Sequence, residues 1–177
     1  MSCQSFTLKG IPQECAGSVA GLKTLYFGLV DDISAVTFTD SAQTIDTLTL
    51  KSGKHLYEYF VTEESSSLNS TITKNPQNGV QYFTNQLNAT FVRMTPEKHI
   101  EMEALSNEKL FFVAEDNNGY LWTSLRDSFV SVSEITAQTG QSFDDLSGYQ
   151  IVANHRSGFL PFSISKSIVT GLLPASN

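Results

Sequence analysis

At 177 residues, with 40% hydrophobic and 16% charged side chains, the chain can build one domain whose core needs neither a disulfide nor a metal. Its formal net charge of −7 and its three scattered arginines, Arg93, Arg126 and Arg156, argue against gripping nucleic acid through phosphate contacts. Low charge with many Ser, Thr, Val and Phe leans instead toward β structure and toward surfaces that are later covered.

The start, MSCQSFTLKG, has neither a basic cluster nor an apolar run, so no signal peptide is expected. No segment approaches the roughly 20 apolar residues of a membrane helix. In a reducing cytoplasm Cys3 and Cys15 are expected as free thiols, and two cysteines make no metal spacing. The Asn69-Ser70-Thr71 and Asn88-Ala89-Thr90 glycosylation patterns then carry no meaning. Residues 1–177 are read as a single domain, with an N-terminal arm over 1–20 and a C-terminal tail over 166–177.

TLYFGLV (24–30) is a short apolar strand closed by the acidic turn Asp31-Asp32. SAVTFT (34–39) and IDTLTLK (45–51) alternate in part, and Ser52-Gly53 predicts a tight hairpin turn into HLYEYFVTE (55–63). In that strand Tyr57, Tyr59 and Val61 share one face and Leu56 and Phe60 the other, which predicts cover on both sides.

Between residues 65 and 92 the only charged side chain is Lys74. Asn75-Pro76-Gln77-Asn78-Gly79 is a turn cluster, because Pro pre-sets one turn residue and Asn-Gly tolerates positive φ. It divides the stretch into a long β-hairpin with arms near 65–74 and 80–93, within a hairpin region of about 56–93. Phe83, Leu87, Ala89 and Phe91 fall on one face of the second arm, and Thr84, Gln86, Asn88 and Thr90 on the other. Leu68 and Ile72 share a face of the first arm. A 14-residue arm spans about 45 Å, too long for one small domain to cover. Monomeric proteins usually guard such edges with Lys or Pro, and here Lys74 and Pro76 sit at the tip alone. An intersubunit hairpin is therefore favoured over a solvated hairpin on a monomer.

Thr95-Pro96-Glu97 supplies an N-cap, a Pro at the first helical position and an acid in the first turn, predicting a helix over about 96–106. Ile100, Ala104 and Leu105 are its expected buried stripe. KLFFVAED and GYLWTSL are strands joined at Asn117-Asn118-Gly119, and Tyr120, Trp122, Phe111 and Phe112 are assigned to the core. DSFVSVSEITAQ alternates as a strand, TGQSFDDLSG is a polar loop, and YQIVANH and GFLPFSI complete a mainly β fold. Its expected form is a small antiparallel β-barrel or sandwich with one flanking helix and a long hairpin.

Catalytic signals are absent from the pattern. His55, His99 and His155 show no paired ligand spacing, and neither a Gly-x-Ser-x-Gly elbow nor a Gly-rich phosphate loop occurs. A Cys15–His nucleophile pair has no support beyond the presence of both residue types. Asp31-Asp32, Glu115-Asp116 and Asp144-Asp145 could offer oxygen ligands to Ca²⁺, but EDNNG lacks the alternating acids of a calcium loop. No enzyme, cofactor or metal is expected, which favours a structural or binding protein.

FFVAEDNNGYLW, AQTGQSFDDLSGYQIVA and FLPFSI, with CAGSVAGLKTLYFGLVDDI upstream, resemble a family of small virion proteins of tailed bacteriophages, of tail-tube type. The likeness spans about residues 15–165. Ser147 stands where the family pattern has Asn, and ANHRSG lacks the family's acids. The resemblance implies a barrel or sandwich subunit, six of which form a ring whose hairpins join into one inner β-barrel. It implies stacked homo-hexameric rings in the virion, assembled in the host cytoplasm and touching other tail or neck proteins. DNA would slide through without specific binding and no membrane would be involved. Leu68, Ile72, Phe83, Leu87 and Phe91 would then meet a neighbour, and Thr84, Gln86, Asn88 and Thr90 would face the lumen. Alternatives are a head–tail joining, neck or capsid-associated virion protein of the same fold, or a secreted ligand-binding β-sandwich.

Overall fold

The computed structural model describes residues 10–11, 17–62 and 64–174; Cys3, Cys15 and most of the expected N-terminal arm lie outside them. The fold is mainly β, 50% strand and 13% helix, in two sheets that stack without closing into a barrel. The larger sheet holds β1 (Leu22–Leu29), β2 (Ile33–Thr39), β3 (Thr44–Leu50), β4 (Tyr57–Phe60), β7 (Leu110–Asp116), β8 (Leu121–Thr123) and β11 (Phe162–Ile164), in the order β2-β3-β11-β8-β7-β1-β4. The smaller sheet, β5-β6-β10-β9, is built from β5 (Ser67–Asn75), β6 (Val80–Val92), β9 (Ser131–Gln138) and β10 (Gly148–Ser157).

Strands β1 and β7, neighbours in the larger sheet, are covered on both faces because their sequences are apolar on both. Along β7, Leu110, Phe112 and Ala114 face the smaller sheet, while Phe111 and Val113 face a second core beneath the larger one. Near-continuous apolar runs of this kind mark strands covered on both sides. The first core joins Leu25 and Phe27 of β1 to Leu87, Ala89 and Phe91 of β6 and to Tyr149, Ile151 and Ala153 of β10. The second gathers Ile45, Leu48, Leu56, Phe162 and Ile164.

The β7–β8 hairpin forms where Asn117-Asn118-Gly119 predicts it. The Asp116 carboxylate accepts from the backbone N–H groups of Asn118 and Tyr120, each at 2.9 Å, and Gly119 takes φ +86°. Trp122 is only half-buried, because its ring lies over this turn and its Nε1 donates to Asp116 Oδ2 at 3.1 Å. Tyr120 points outward, 63% exposed, so of the four aromatic residues assigned to the core only Phe111 and Phe112 are fully enclosed.

Three expectations are corrected by topology. Ser52-Gly53 does turn, with Lys54 N donating to Lys51 O at 3.0 Å, but β3 and β4 lie on opposite sides of the larger sheet and form no hairpin. As an edge strand paired to β1 alone, β4 leaves Phe60 75% and Tyr57 52% exposed. The hairpin therefore starts at Ser67, not near residue 56. In α1 (Pro96–Asn107) the Thr95 hydroxyl caps Lys98 N at 3.3 Å as expected, but Met102 and Leu105 form the buried stripe. Ile100 is two residues, about 200° of helix, from Met102, so both cannot face the core; Ile100 and Ala104 are exposed.

The C-terminal segment carries a short helix, α2 (Lys166–Gly171), with Val169 fully buried in the second core. Lys166 Nζ lies 2.7 Å from Glu115 Oε1, the partner that a nearly enclosed carboxylate requires. Arg126 makes the other cross-link, 3.0 Å from Asp40 and stacked 4.1 Å over Phe38 and 4.7 Å over Phe159.

Two glycines mark the closest approaches. A Cβ at Gly28 would meet the Phe111 ring at 2.4 Å, and one at Gly148 would meet the Phe91 carbonyl oxygen at 2.0 Å. Gly28→Ala is expected to cost about 1–3 kcal/mol through overpacking. Gly148→Ala should cost more, since a paired backbone cannot yield as a ring can. Thermal melts of both variants check this order; equal or negligible losses would contradict it.

Candidate functional site

The hairpin forms because alternating side chains on both arms find cover at the base and because the turn residues suit their conformations. Asn75 Oδ1 accepts from Gln77 N at 3.1 Å and Gly79 takes φ +63°. Pairing runs without a break from Ser67↔Asn88 to Asn75↔Val80. At 13 residues, β6 extends about 43 Å. Strand β10 accompanies it only from Val92 to Phe83, so the pairs Thr73↔Tyr82, Lys74↔Gln81 and Asn75↔Val80 project beyond the sheet. Strand β5 is the sheet's edge, so about half of its backbone N–H and C=O groups have no ladder partner.

The five residues expected at an intersubunit contact divide along this length. Leu87 and Phe91 are buried in the chain's own core, and Leu68 packs against that core. Ile72 and Phe83, a cross-strand pair, lie beyond it, with Ile72 42% exposed and Phe83 half-buried. The core therefore claims the base of the hairpin and leaves its outer part without cover.

The four residues expected to face a lumen also divide. Thr84 and Asn88 are half-buried and Gln86 is exposed, all on the outer face of the smaller sheet. Thr90 is covered: its hydroxyl donates to Ser65 O at 3.3 Å and its N–H to Ser66 Oγ at 3.2 Å, because Ser65 and Ser66 lie across it just before β5. The open face continues through Gln150, Val152, Asn154 and Arg156 of β10 and Glu134 and Thr136 of β9. Arg156 and Glu134 are its charged members across these strands.

Period-2 reading also places Asn85 in the apolar row of β6, a polar interruption that sequence reasoning passed over. It pairs across the ladder with His155, Nδ2 to Nδ1 at 3.2 Å, and both side chains are enclosed. A donor on Nδ1 puts the imidazole proton on Nε2, which lies 3.9 Å from Asp127 Oδ1. Burial pushes the His155 imidazole below its usual range, against a weaker upward pull from Asp127. The ring is thus held neutral at neutral pH.

Four of the six acidic groups weighed as calcium ligands have other work, Glu115 among them as the partner of Lys166. Asp32 pairs with Lys54 at 3.2 Å, and Asp116 caps its turn. Asp145 accepts from Gln141 N and Ser142 N, which hold its carboxyl below the usual range. Among the described residues no three His, Cys, Asp or Glu side chains gather as a metal site, and no helix is long and apolar enough to cross a membrane.

Because His155 binds its proton less readily folded than unfolded, its contribution to stability is complete above its ordinary value of 6.5. That contribution falls away as pH drops through 6.5 toward the lower folded value. Urea unfolding from pH 7.5 to 5 should show this loss, and His155→Gln should flatten it; an unchanged slope in the variant would remove His155 as its source.

No protein-family model matches this chain, and no curated protein or solved structure matches it either.

Proposed function

We propose that this chain is a structural subunit of a tailed-bacteriophage virion, a tail-tube protein that forms stacked homo-hexameric rings conducting DNA. The observation that carries self-assembly is the free, almost uncharged edge of β5 on a hairpin that outruns its own sheet. The opposite edge, β9, carries a single charge, Glu134. Addition of β5 from one copy to β9 of the next joins the four-stranded sheets head to tail, and a closed ring leaves no edge exposed. The placement in a phage tail, and the number six, rest on the sequence resemblance.

In such a ring the larger sheet and both helices stand outside, and the outer face of the smaller sheet lines the channel. Thr84, Gln86 and Asn88 then offer hydrogen bonds to water and few fixed charges to passing DNA. Net negative charge on the subunit keeps DNA from sticking. The subunit assembles in the host cytoplasm, ends in the virion and meets other tail or neck proteins at the tube ends.

Light scattering and negative-stain imaging of the purified protein at rising concentration test the assembly. Rings or tubes are expected; a monomer at every concentration with the 67–92 segment resistant to protease would overturn it. Thr84→Lys and Gln86→Lys should spare ring assembly yet slow DNA delivery, whereas Thr90→Lys should displace Ser65 and Ser66 from the strand they cover. Loss of rings in the first two would reverse the assigned facing.

A further inference from the structure

A cleft of about 280 Å³ opens between the free edge of β4 and helix α1. Tyr57, Tyr59, Ala104 and Leu105 form its apolar walls, and Glu101 and Glu108 stand in it. An adjoining cleft shares Tyr57, Tyr59 and Glu101 and adds Glu58. Neither is lined by Lys, Arg or His among the described residues. Tyr59 donates its hydroxyl to Glu101, which fixes one wall. Exposed apolar side chains beside acids, with no basic residue to neutralise them, ask for an apolar partner that carries a positive charge.

The outer part of the hairpin, from the last β6 residue paired to β10 out to the turn, has that chemistry. On the face continuous with the core it presents Ile72 beside Phe83 and then Lys74 beside Gln81. Lys74 is the single charged residue between 65 and 92. The tip cannot reach its own cleft. Val80 at the tip and Phe91 at the base are separated by about 36 Å of paired strand, and the cleft residue Tyr59 packs on Phe91 at 6.0 Å between ring centroids. Tip and cleft thus lie near opposite ends of one stiff strand.

We propose that the hairpin tip of one copy docks in the β4–α1 cleft of another, with Ile72 and Phe83 on the apolar walls and the Lys74 ammonium between Glu101 and Glu108. The contact is heterologous, because two different patches meet. It repeats along the direction of β6 and joins one ring to the next, where the β5–β9 pairing closes each ring. This inference rests on the self-assembly reading and assigns the receiving surface for stacking.

A charge swap tests it, since every copy carries both partners. Lys74→Glu and Glu108→Lys should each raise the protein concentration needed for stacked tubes by about tenfold or more while single rings persist. The double variant should bring it back to near the parent value. Stacking unchanged by either single variant, or not recovered in the double, would overturn the docking. Glu108 follows the last turn of α1 and is exposed, so its replacement leaves the core intact.

A photo-crosslinking residue, p-benzoylphenylalanine, in place of Gln81 of the full chain separates this docking from ring formation. Crosslinks between copies to residues 57–59 and 101–108 are expected. Rings with crosslinks mapping only to β9 would keep the assembly and overturn the cleft. Crosslinks in the cleft without rings would keep the cleft and overturn the ring.

Discussion

Burial of Leu87, Ala89 and Phe91 against β1 and β7 holds one half of β6 in place, and the rest of the hairpin takes its position from that anchor. Leucine and phenylalanine each contribute about 1.5–3 kcal/mol on full burial, enough to fix register, because a slip of one residue would turn the whole row to water. With the base held, the ladder of hydrogen bonds carries the direction outward to residues 73–82, where no core supports it. An edge strand held straight presents its backbone to whatever approaches. The absence of charge along it then becomes a property of the surface and not of the core.

The buried Asn85–His155 pair sits at the transition between these two regimes, where the apolar row gives way to Phe83. A polar pair there costs desolvation that an apolar pair would not, and it leaves Asn85 Oδ1 and His155 Nε2 without hydrogen-bond partners among the described residues. Among the described residues, Asp127, 3.9 Å from Nε2, is the carboxylate placed to respond if the ring is protonated. Acidification would therefore act at the root of the projecting arm.

Strands and turns were legible in the sequence because each depends on local signals. The Asn-Gly turn after Asp116, the period-2 row of β6 and the Thr95 cap with Pro96 each act within a few residues. Pairing across the chain was not legible. Ser52-Gly53 looks like a hairpin turn, yet β4 crosses to the far edge of the larger sheet, since β3 is paired on both sides, by β2 and β11, while β1 has an edge to offer. The burial of Met102 in place of Ile100 reflects the same limit, because the helix is set by Tyr149, β9 and β4. Thr90 looks solvent-facing by periodicity, and only the placement of Ser65 and Ser66 reveals its cover.

The uncharged hairpin and the acidic cleft are most simply understood as two halves of one requirement. A subunit that repeats must leave some surface unsatisfied in isolation, yet surfaces of one kind would pair indiscriminately and precipitate. Splitting the requirement resolves this. In the proposed ring, backbone edges on β5 and β9 would supply strong pairing with little discrimination. Discrimination would come, in the proposed stacking, from a single positive charge on an otherwise neutral arm and from a cleft lined by acids on an acidic protein. In the proposed assembly, like-charge repulsion between subunits of net charge −7 would keep mismatched approaches apart until tip and cleft align.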